Sequence, residues 1–594
     1  MPDCLSMKIP LLPQPRTCEW TQEPLALSVF DRVQQRIDPQ AMPHEQGYQL
    51  RITTSGVEII GHDQAGLFYG EQTLKQMANL AGDSLCAVTL EDWPDFKVRG
   101  VMLDISRDRV PKMSELFARI DRLASWKINH VQLYIEHTIA YHGHKAVWKN
   151  SSPLTFEEIK QLDTYCQARH IDFVPCQNLF GHLHHWLTVD GYKHLAECPD
   201  GWETPWGYRD PLPFSLDPSN PESLELVRDL VDQLAPCCDS MLFNIGCDET
   251  LDIGQGKTKA LCEEQGRASV YLDFLNKICA EVQRHGKTPM FWGDIVLHHP
   301  ELIDRIPKDA VLLNWGYEAS HPFMKQSKQF HEAGVRQYVC PGTSSWTSLT
   351  GRMDNAIENI RSAAEAGLKY QAEGFLNTDW GDYGHWHPFL TSWPAMAYGA
   401  AVSWSYDTNA ANTNPANWLN AHVFQDETGH FGNALSQLGN LYQHQVPEML
   451  ENDSISTWWF DFLRHTQRTF SEGKWLTITS DNAAHVLDQL AKIEQRLSQA
   501  NPTCNDAALS MREIQWLIWI TRWVCEQAQA DMRITAFKPE DWGVNASAET
   551  KAAFDALVTE YHDLWSQRSR PGGLKDSTQK IAQLMHAKPT ANVV

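Results

Sequence analysis

The chain of 594 residues has no apolar run of about 18 residues or more, so no segment is suited to cross a bilayer as a helix. It has no excess of positive charge: Lys and Arg number 50 against 74 Asp and Glu, a net charge of −24. That removes the case for a nucleic-acid or anionic-membrane surface. Residues Met1 to Pro10 contain no basic segment followed by an apolar one, so no secretory leader is read and a cytoplasmic location is expected. No CxxC pair occurs among the 14 cysteines, which reads as a reduced set of small buried residues. The sequons at Asn150, Asn452 and Asn545 are then chance matches. There is no GxGxxG, no GxxxxGK followed by Ser or Thr, and no GxSxG. Dinucleotide, phosphate-loop and nucleophile-elbow chemistry therefore have no motif, and no cofactor is expected. Hydrophobic residues at 42% and charged residues at 21% leave an ordinary globular chain with a sizeable core.

What the chain does have is tryptophan, 23 residues, crowding the middle at Trp292, Trp315, Trp346, Trp380, Trp386, Trp393 and Trp404. Flat indoles suit both core packing and the apolar faces of sugar rings. Residues 1–95 read as a small α+β domain. Tyr48–Thr53 and Val57–Ile60 form a hairpin, Ala65–Met77 a helix and Leu85–Leu90 another strand, with Trp93-Pro94 at the boundary. From residue 98 a strand–turn–helix beat repeats. Its strands are Val98–Asp104, Ile128–Ile135, Ile171–Asn178, Ser240–Gly246, Lys287–Trp292, Ala310–Trp315, Val335–Pro341 and Glu373–Trp380. The helices between them include Ser114–Trp126, Thr155–Arg169, Pro221–Leu234, Ser320–Ala333 and Met353–Ala366, and Thr155 with Glu158 has capping-box spacing. Eight such units over 96–410 predict an α/β chain, a closed (β/α)8 barrel. The long segment after the third strand, with Trp186, Trp202 and Trp206, is expected to shape the pocket. Residues 411–594 read as mainly helical, with a loose tail after Arg570.

Barrel chemistry sits at the C-terminal ends of the strands. Those ends hold Asp104, Glu136-His137, Asn178 with Gly181-His182-Leu183-His184-His185, Gly246-Cys247-Asp248-Glu249, Trp292-Gly293-Asp294 and Asp379-Trp380-Gly381-Asp382. The cup is aromatic and acidic, without lysine, and suits a polyol better than a phosphate. Asp248-Glu249 is the sharpest feature: two carboxyls brought together at a strand end split their pKa values into an acid and an anion, as acetal hydrolysis requires. The competing use of these residues is metal binding by His182 and His184 completed by carboxylates, a metal-dependent barrel hydrolase. A non-catalytic sugar-binding protein is the third reading.

Gly246-Cys247-Asp248-Glu249 resembles the Gly-x-Asp-Glu signature of glycoside hydrolase family 20, the β-N-acetylhexosaminidases. Arg99–Arg107, Gly181-His182 and Tyr48–Met77 resemble, in order, its first barrel strand, its third-strand loop and its preceding small domain, so the likeness covers about residues 1–405. The resemblance implies exo-acting removal of terminal β-linked GlcNAc or GalNAc, with retention, through attack by the substrate's own acetamido oxygen. It implies Glu249 as the general acid/base and Asp248 as the group orienting the acetamido. Arg99 is implied for ring hydroxyls, and His182 and Glu136 as polar support. Trp292, Trp315, Trp346 and Trp404 are implied as pocket walls, with Trp380 and Asp382 at the sugar's outer edge. An oligosaccharide substrate is the one partner implied, with no metal, nucleic acid or membrane. A homodimer interface and a cover over the barrel mouth both remain open for the C-terminal helices. Unlike many members, this chain has no Tyr after the seventh strand, where it reads Pro341-Gly342-Thr343-Ser344-Ser345-Trp346.

Overall fold

A computed structural model describes residues 9–81, 85–205, 209–444, 480–531 and 547–582. Strands β1 (Thr17–Leu25), β2 (Val33–Ile37), β3 (Tyr48–Thr53), β4 (Gly56–Gly61) and β5 (Leu85–Asp92) form one sheet in the order β1-β5-β3-β4-β2. The β3–β4 hairpin turns at Gly56, as its sequence predicts. The two strands that sequence reading missed, β1 and β2, are the edges of this sheet. β2 is exposed along its whole length, so it carries no alternation of buried and open positions to read. The helix Gln64–Leu80 packs on the sheet and starts at Asp63, whose carboxylate accepts the Gly66 amide.

Eight parallel strands follow: β6 (Val98–Asp104), β7 (His130–Tyr134), β8 (Asp172–Val174), β11 (Leu242–Asn244), β12 (Thr288–Trp292), β13 (Val311–Trp315), β14 (Arg336–Cys340) and β15 (Gly374–Asp379). A two-residue hairpin, β9 (Trp202–Glu203) with β10 (Arg209–Asp210), lies in the insertion after β8. The barrel closes where Cys176 bridges Asn244 in parallel. Each predicted barrel strand is present, the first with its predicted ends and the other seven shorter. Their side chains are buried on both faces, which is why they read as unbroken apolar runs. Alternation sorts them: Met102 faces the barrel interior with Met290, Leu313 and Leu376, whereas Val101 and Leu103 face the surrounding helices. The helices include Met113–Ser125, Phe156–Gln167, Pro221–Leu234, Phe323–Glu332 and Met353–Lys369, and the capping box at Thr155 and Glu158 forms in full. The eighth helix, Trp393–Trp404, is buried on every side and so lacks the amphipathic stripe that marks a helix in sequence.

Helices Ser480–Leu497, Ala507–Asp531 and Ala548–Arg568 make up most of the described C-terminal region. Parts of the predicted helical stretches, residues 445–479 and 532–546, fall outside the described residues, as does Trp206. As far as Ala582 the tail after Arg570 is not loose: Leu574–Ala582 is a helix with Ser577 and Ile581 buried, and residues 583–594 lie outside the described residues. Nor are all cysteines free. Twelve are, but Cys86 is disulfide-bonded, so the reading of a uniformly reduced set does not hold. Among the described residues no helix is long and apolar enough to cross a membrane.

Candidate active site

The strand β11 ends in a backbone that reverses twice. Gly246 and Cys247 have φ of 67° and 68°, and Glu249 has 49°. A Cβ on Gly246 would meet Asn178 Cγ at 2.5 Å, so the position demands glycine on both counts. This turn is what brings two sequence neighbours to one side of the barrel mouth. Asn178, at the end of the third-strand segment, donates to Asp248 Oδ1 at 3.0 Å. The imidazole of His182, itself at φ 55°, sets Nε2 at 3.2 Å from Asp248 Oδ2 and 3.5 Å from Glu249 Oε2.

The electrostatics of the three groups diverge. Burial alone would lower His182, but the Asp248 carboxylate overrides it and raises the imidazole to about 9. Burial would raise Asp248, yet charged His182 holds its carboxyl below the usual carboxylate range. Glu249 moves the other way: burial raises it, and the nearby charges of Asp248 and Asp382 push it further. Behind them Asp294 accepts the Glu249 amide at 3.1 Å, and burial together with Asp248 raises its carboxyl to about 8.

Arg107 is the cation of the mouth. It pairs with Asp104 and Glu136, each at 3.2 Å, and lies over the rings of Tyr134 and Trp380 at 4.5 and 5.1 Å. Arg99, expected to bind ring hydroxyls, is fully buried at the opposite end of β6. It donates to the Lys127 and Phe96 carbonyls at 2.9 and 2.8 Å and lies over Trp404 at 4.8 Å. Trp404 is likewise not a pocket wall. Its indole is fully buried in the core of the N-terminal sheet with Tyr48 and Tyr69. Glu136 is 1% exposed and accepts from Tyr134 at 3.1 Å, so it braces Arg107 from beneath and presents no open face to a substrate.

Trp292, Trp315, Trp346 and Trp380 do come together. Trp380 stands 5.8 Å from Trp292, and Trp346 meets the edge of Tyr317 at 5.0 Å. Tyr317, which sequence reading missed, stacks on Trp315 at 5.2 Å and accepts the Trp380 indole N–H at 2.8 Å. The signal was available: positions two apart at a strand end share a face, and Tyr317 follows Trp315 at that spacing. The indole N–H groups of Trp292 and Trp315 are buried and find no acceptor among the described residues. Asp382, at φ 41°, is half-buried in the loop after β15. Trp186 and Trp202 are buried, and the Trp186 indole donates to the Glu136 carbonyl at 2.7 Å, so these two insertion tryptophans pack rather than line the opening.

A metal would find one set of donors here. Among the described residues the group whose ligand atoms lie within 4.8 Å of one another is His182, Asp248 and Glu249. The proposed His182–His184 pair does not form: His184 turns away and packs on His185 at 4.1 Å, and His185 on His137 at 3.7 Å.

Residues 96–346 match the model of the glycosyl hydrolase family 20 catalytic domain, and residues 21–93 that of the family's domain 2. A lacto-N-biosidase of Bifidobacterium bifidum is 27% identical over 46% of this chain and 24% of its own length. A β-hexosaminidase of Porphyromonas gingivalis is 25% identical over 42% of this chain and 36% of its own. The chain thus spans well under two thirds of these curated relatives. The crystal structure of an exo β-N-acetylglucosaminidase from Vibrio harveyi shares the fold, with a TM-score of 0.56 at 16% identity over 69% of this chain and 77% of that one. Matched by both family models in their chain order, with the barrel and the preceding sheet in place, the chain belongs to glycosyl hydrolase family 20.

Proposed function

We propose that the protein is an exo-acting β-N-acetylhexosaminidase that removes terminal β-linked GlcNAc or GalNAc with retention, the substrate's acetamido oxygen serving as nucleophile. The observation that carries this reading is the opposed behaviour of two adjacent carboxyls, both within reach of the His182 imidazole: His182 holds the Asp248 carboxyl below the usual range while burial and the neighbouring carboxylates push that of Glu249 above it. Glu249 then protonates the leaving glycosidic oxygen and later takes a proton from the attacking water. Asp248 accepts from the acetamido N–H and stabilises the positive charge that develops as the oxazolinium ring closes. The names of the matched β-hexosaminidases support the same substrate class.

In this reading Arg107 takes the sugar-hydroxyl role that the family resemblance had placed on Arg99, together with Asp382. Trp292, Trp315, Trp346 and Trp380 wall the acetamido end. Tyr317 supplies the phenol missing after the seventh strand: its oxygen accepts the Trp380 indole N–H, which sets the hydroxyl against the aromatic wall where it would meet the acetamido oxygen. The test is hydrolysis of paired chromogenic β-GlcNAc and β-GalNAc substrates with and without an oxazoline-mimicking thiazoline. Cleavage suppressed by the thiazoline is the expected outcome, and the rate ratio reports the sugar preference. A folded protein that cleaves neither substrate overturns the proposal.

A further inference from the structure

Residues 568–582 lie beyond the span of both family models, yet they are sewn to two loops of the barrel mouth. On the loop after β6, Ser569 bridges Pro111 in antiparallel fashion and the Arg570 amide donates to the Val110 carbonyl at 2.8 Å. Lys580 forms an ion pair with Asp108. Gly573, at φ 76°, comes so near that a Cβ would stand 1.8 Å from the Asp108 carbonyl oxygen. On the loop after β15, the Ser577 hydroxyl donates to the Gly384 carbonyl at 2.6 Å, and the Ser577 carbonyl accepts the Trp386 indole N–H at 3.1 Å.

Ser577 is fully buried, and its single hydroxyl proton fixes the direction of a relay. Because that proton goes to Gly384, the Tyr561 hydroxyl, 2.8 Å away, donates to Ser577 and in turn accepts from Arg109 at 3.4 Å. Arg109 also donates to the His387 carbonyl at 3.1 Å. The loop so held contains three left-handed residues within four positions: Asp382 at 41°, Gly384 at 93° and His385 at 47°. Two of the three are not glycine, and such backbone persists only where its surroundings over-determine it. Here those surroundings include, besides Asp104 and Arg109 of the first barrel strand and its loop, the helix Leu574–Ala582.

We infer that Ser577 is a positioning residue. By holding Gly384 and Trp386 it fixes the backbone that presents Asp382 to the sugar, so the C-terminal helix is part of the active site. The inference rests on the reading of Asp382 as a sugar-hydroxyl contact. Its test compares the full chain with Ser577→Ala, Asp382→Asn and the double variant on a chromogenic β-GlcNAc substrate. Ser577→Ala is expected to raise KM roughly tenfold with kcat within about twofold, because a hydroxyl contact made equally in ground and transition states is what loosens. In the Asp382→Asn background the same change is expected to add nothing, since the two act through one contact. Should Ser577→Ala not fold, Trp386→Phe removes the indole hydrogen bond to Ser577 together with some packing against Tyr383, and is expected to raise KM a few-fold, again only when Asp382 is present. A folded Ser577→Ala protein with wild-type KM, or an equal rise with and without Asp382, overturns the inference. Asp382→Asn at wild-type KM overturns the substrate role of Asp382 and, with it, this inference; cleavage blocked by the thiazoline would still stand apart from both.

Discussion

The two ends of the barrel each hold an arginine, eight residues apart on the same stretch of chain, and use it differently. At the floor, Arg99 donates to backbone carbonyls and lies against the faces of Tyr69 and Trp404, and the neighbouring Lys127 is paired with Asp92. At the mouth, Arg107 meets Asp104 and Glu136 directly and lies within electrostatic reach of Asp382. The left-handed residues divide in the same way. Lys127, His170 and Gln371 at the floor follow the ends of the helices Met113–Ser125, Phe156–Gln167 and Met353–Lys369, where such a residue is an ordinary helix stop. At the mouth, Asp108, His182, Cys247, Glu249, Ser344 and Asp382 take that conformation in loops with no helix to end. One end spends its backbone on packing and the other on aiming side chains, which is the division of stability from chemistry that barrels show generally.

Four experiments sharpen or break this contrast. The largest effect is expected from Glu249→Gln, which should lower kcat by about 10²–10⁴-fold with an unchanged circular dichroism spectrum. Asp248→Asn should follow at about 10²–10³-fold, having lost the anion that stabilises the intermediate. Near-full turnover in either variant would dissolve the assignment of acid and orienting group.

Next come the two arginines. Arg107→Met is expected to lower kcat/KM of the folded protein by roughly 10²-fold, beyond whatever stability it loses by leaving Asp104 and Glu136 without their partner. Arg99→Met should instead cost about 2–4 kcal/mol of stability and leave kcat/KM of the folded enzyme within a few-fold. If the two phenotypes were exchanged, the floor and the mouth would have been confused.

His182→Asn should shift both limbs of the pH–rate profile. The imidazolium lowers Asp248 and Glu249 alike, so its removal should move the acidic and the basic limb to higher pH. The sign for stability is equally definite. The folded pKa of His182, about 9, lies above its unfolded value, so its contribution is complete below about pH 6.5 and disappears as pH rises through about 9. The thermal midpoints of wild type and His182→Asn should therefore converge across that window.

The smallest catalytic effect is expected from Trp404→Phe. It should lower the thermal midpoint by a few degrees, through about 1 kcal/mol or more of lost packing, and leave KM unchanged. A raised KM would put Trp404 back beside the sugar.

Much of this arrangement was legible in the chain. The strand β6 read correctly from its apolar run, and Asp248-Glu249 read as chemistry because it stands just past a strand end. Arg99 is the instructive failure. It is the second residue of β6, so strand polarity alone already set it at the floor, and only family resemblance had drawn it to the sugar. Trp404 failed for another reason: a tryptophan late in an all-apolar helix has no sequence signature that separates a pocket wall from a core residue.

What the sequence by itself determined is whatever depends on near neighbours: the period of the eight strands, their polarity, the capping box at Thr155, and the turn at Gly246 that turns two adjacent carboxyls toward the mouth. These follow from local sterics and alternation, which act over a few residues. Only the tertiary structure decided that His182 comes to Asp248 from the loop after β8, that Tyr317 completes the aromatic cup, and that Ser577 buttresses Gly384 from 193 residues away. Charge coupling and hydrogen bonding depend on separation in space, and the closure of the barrel and the return of the last helix set those separations without a local mark in the chain.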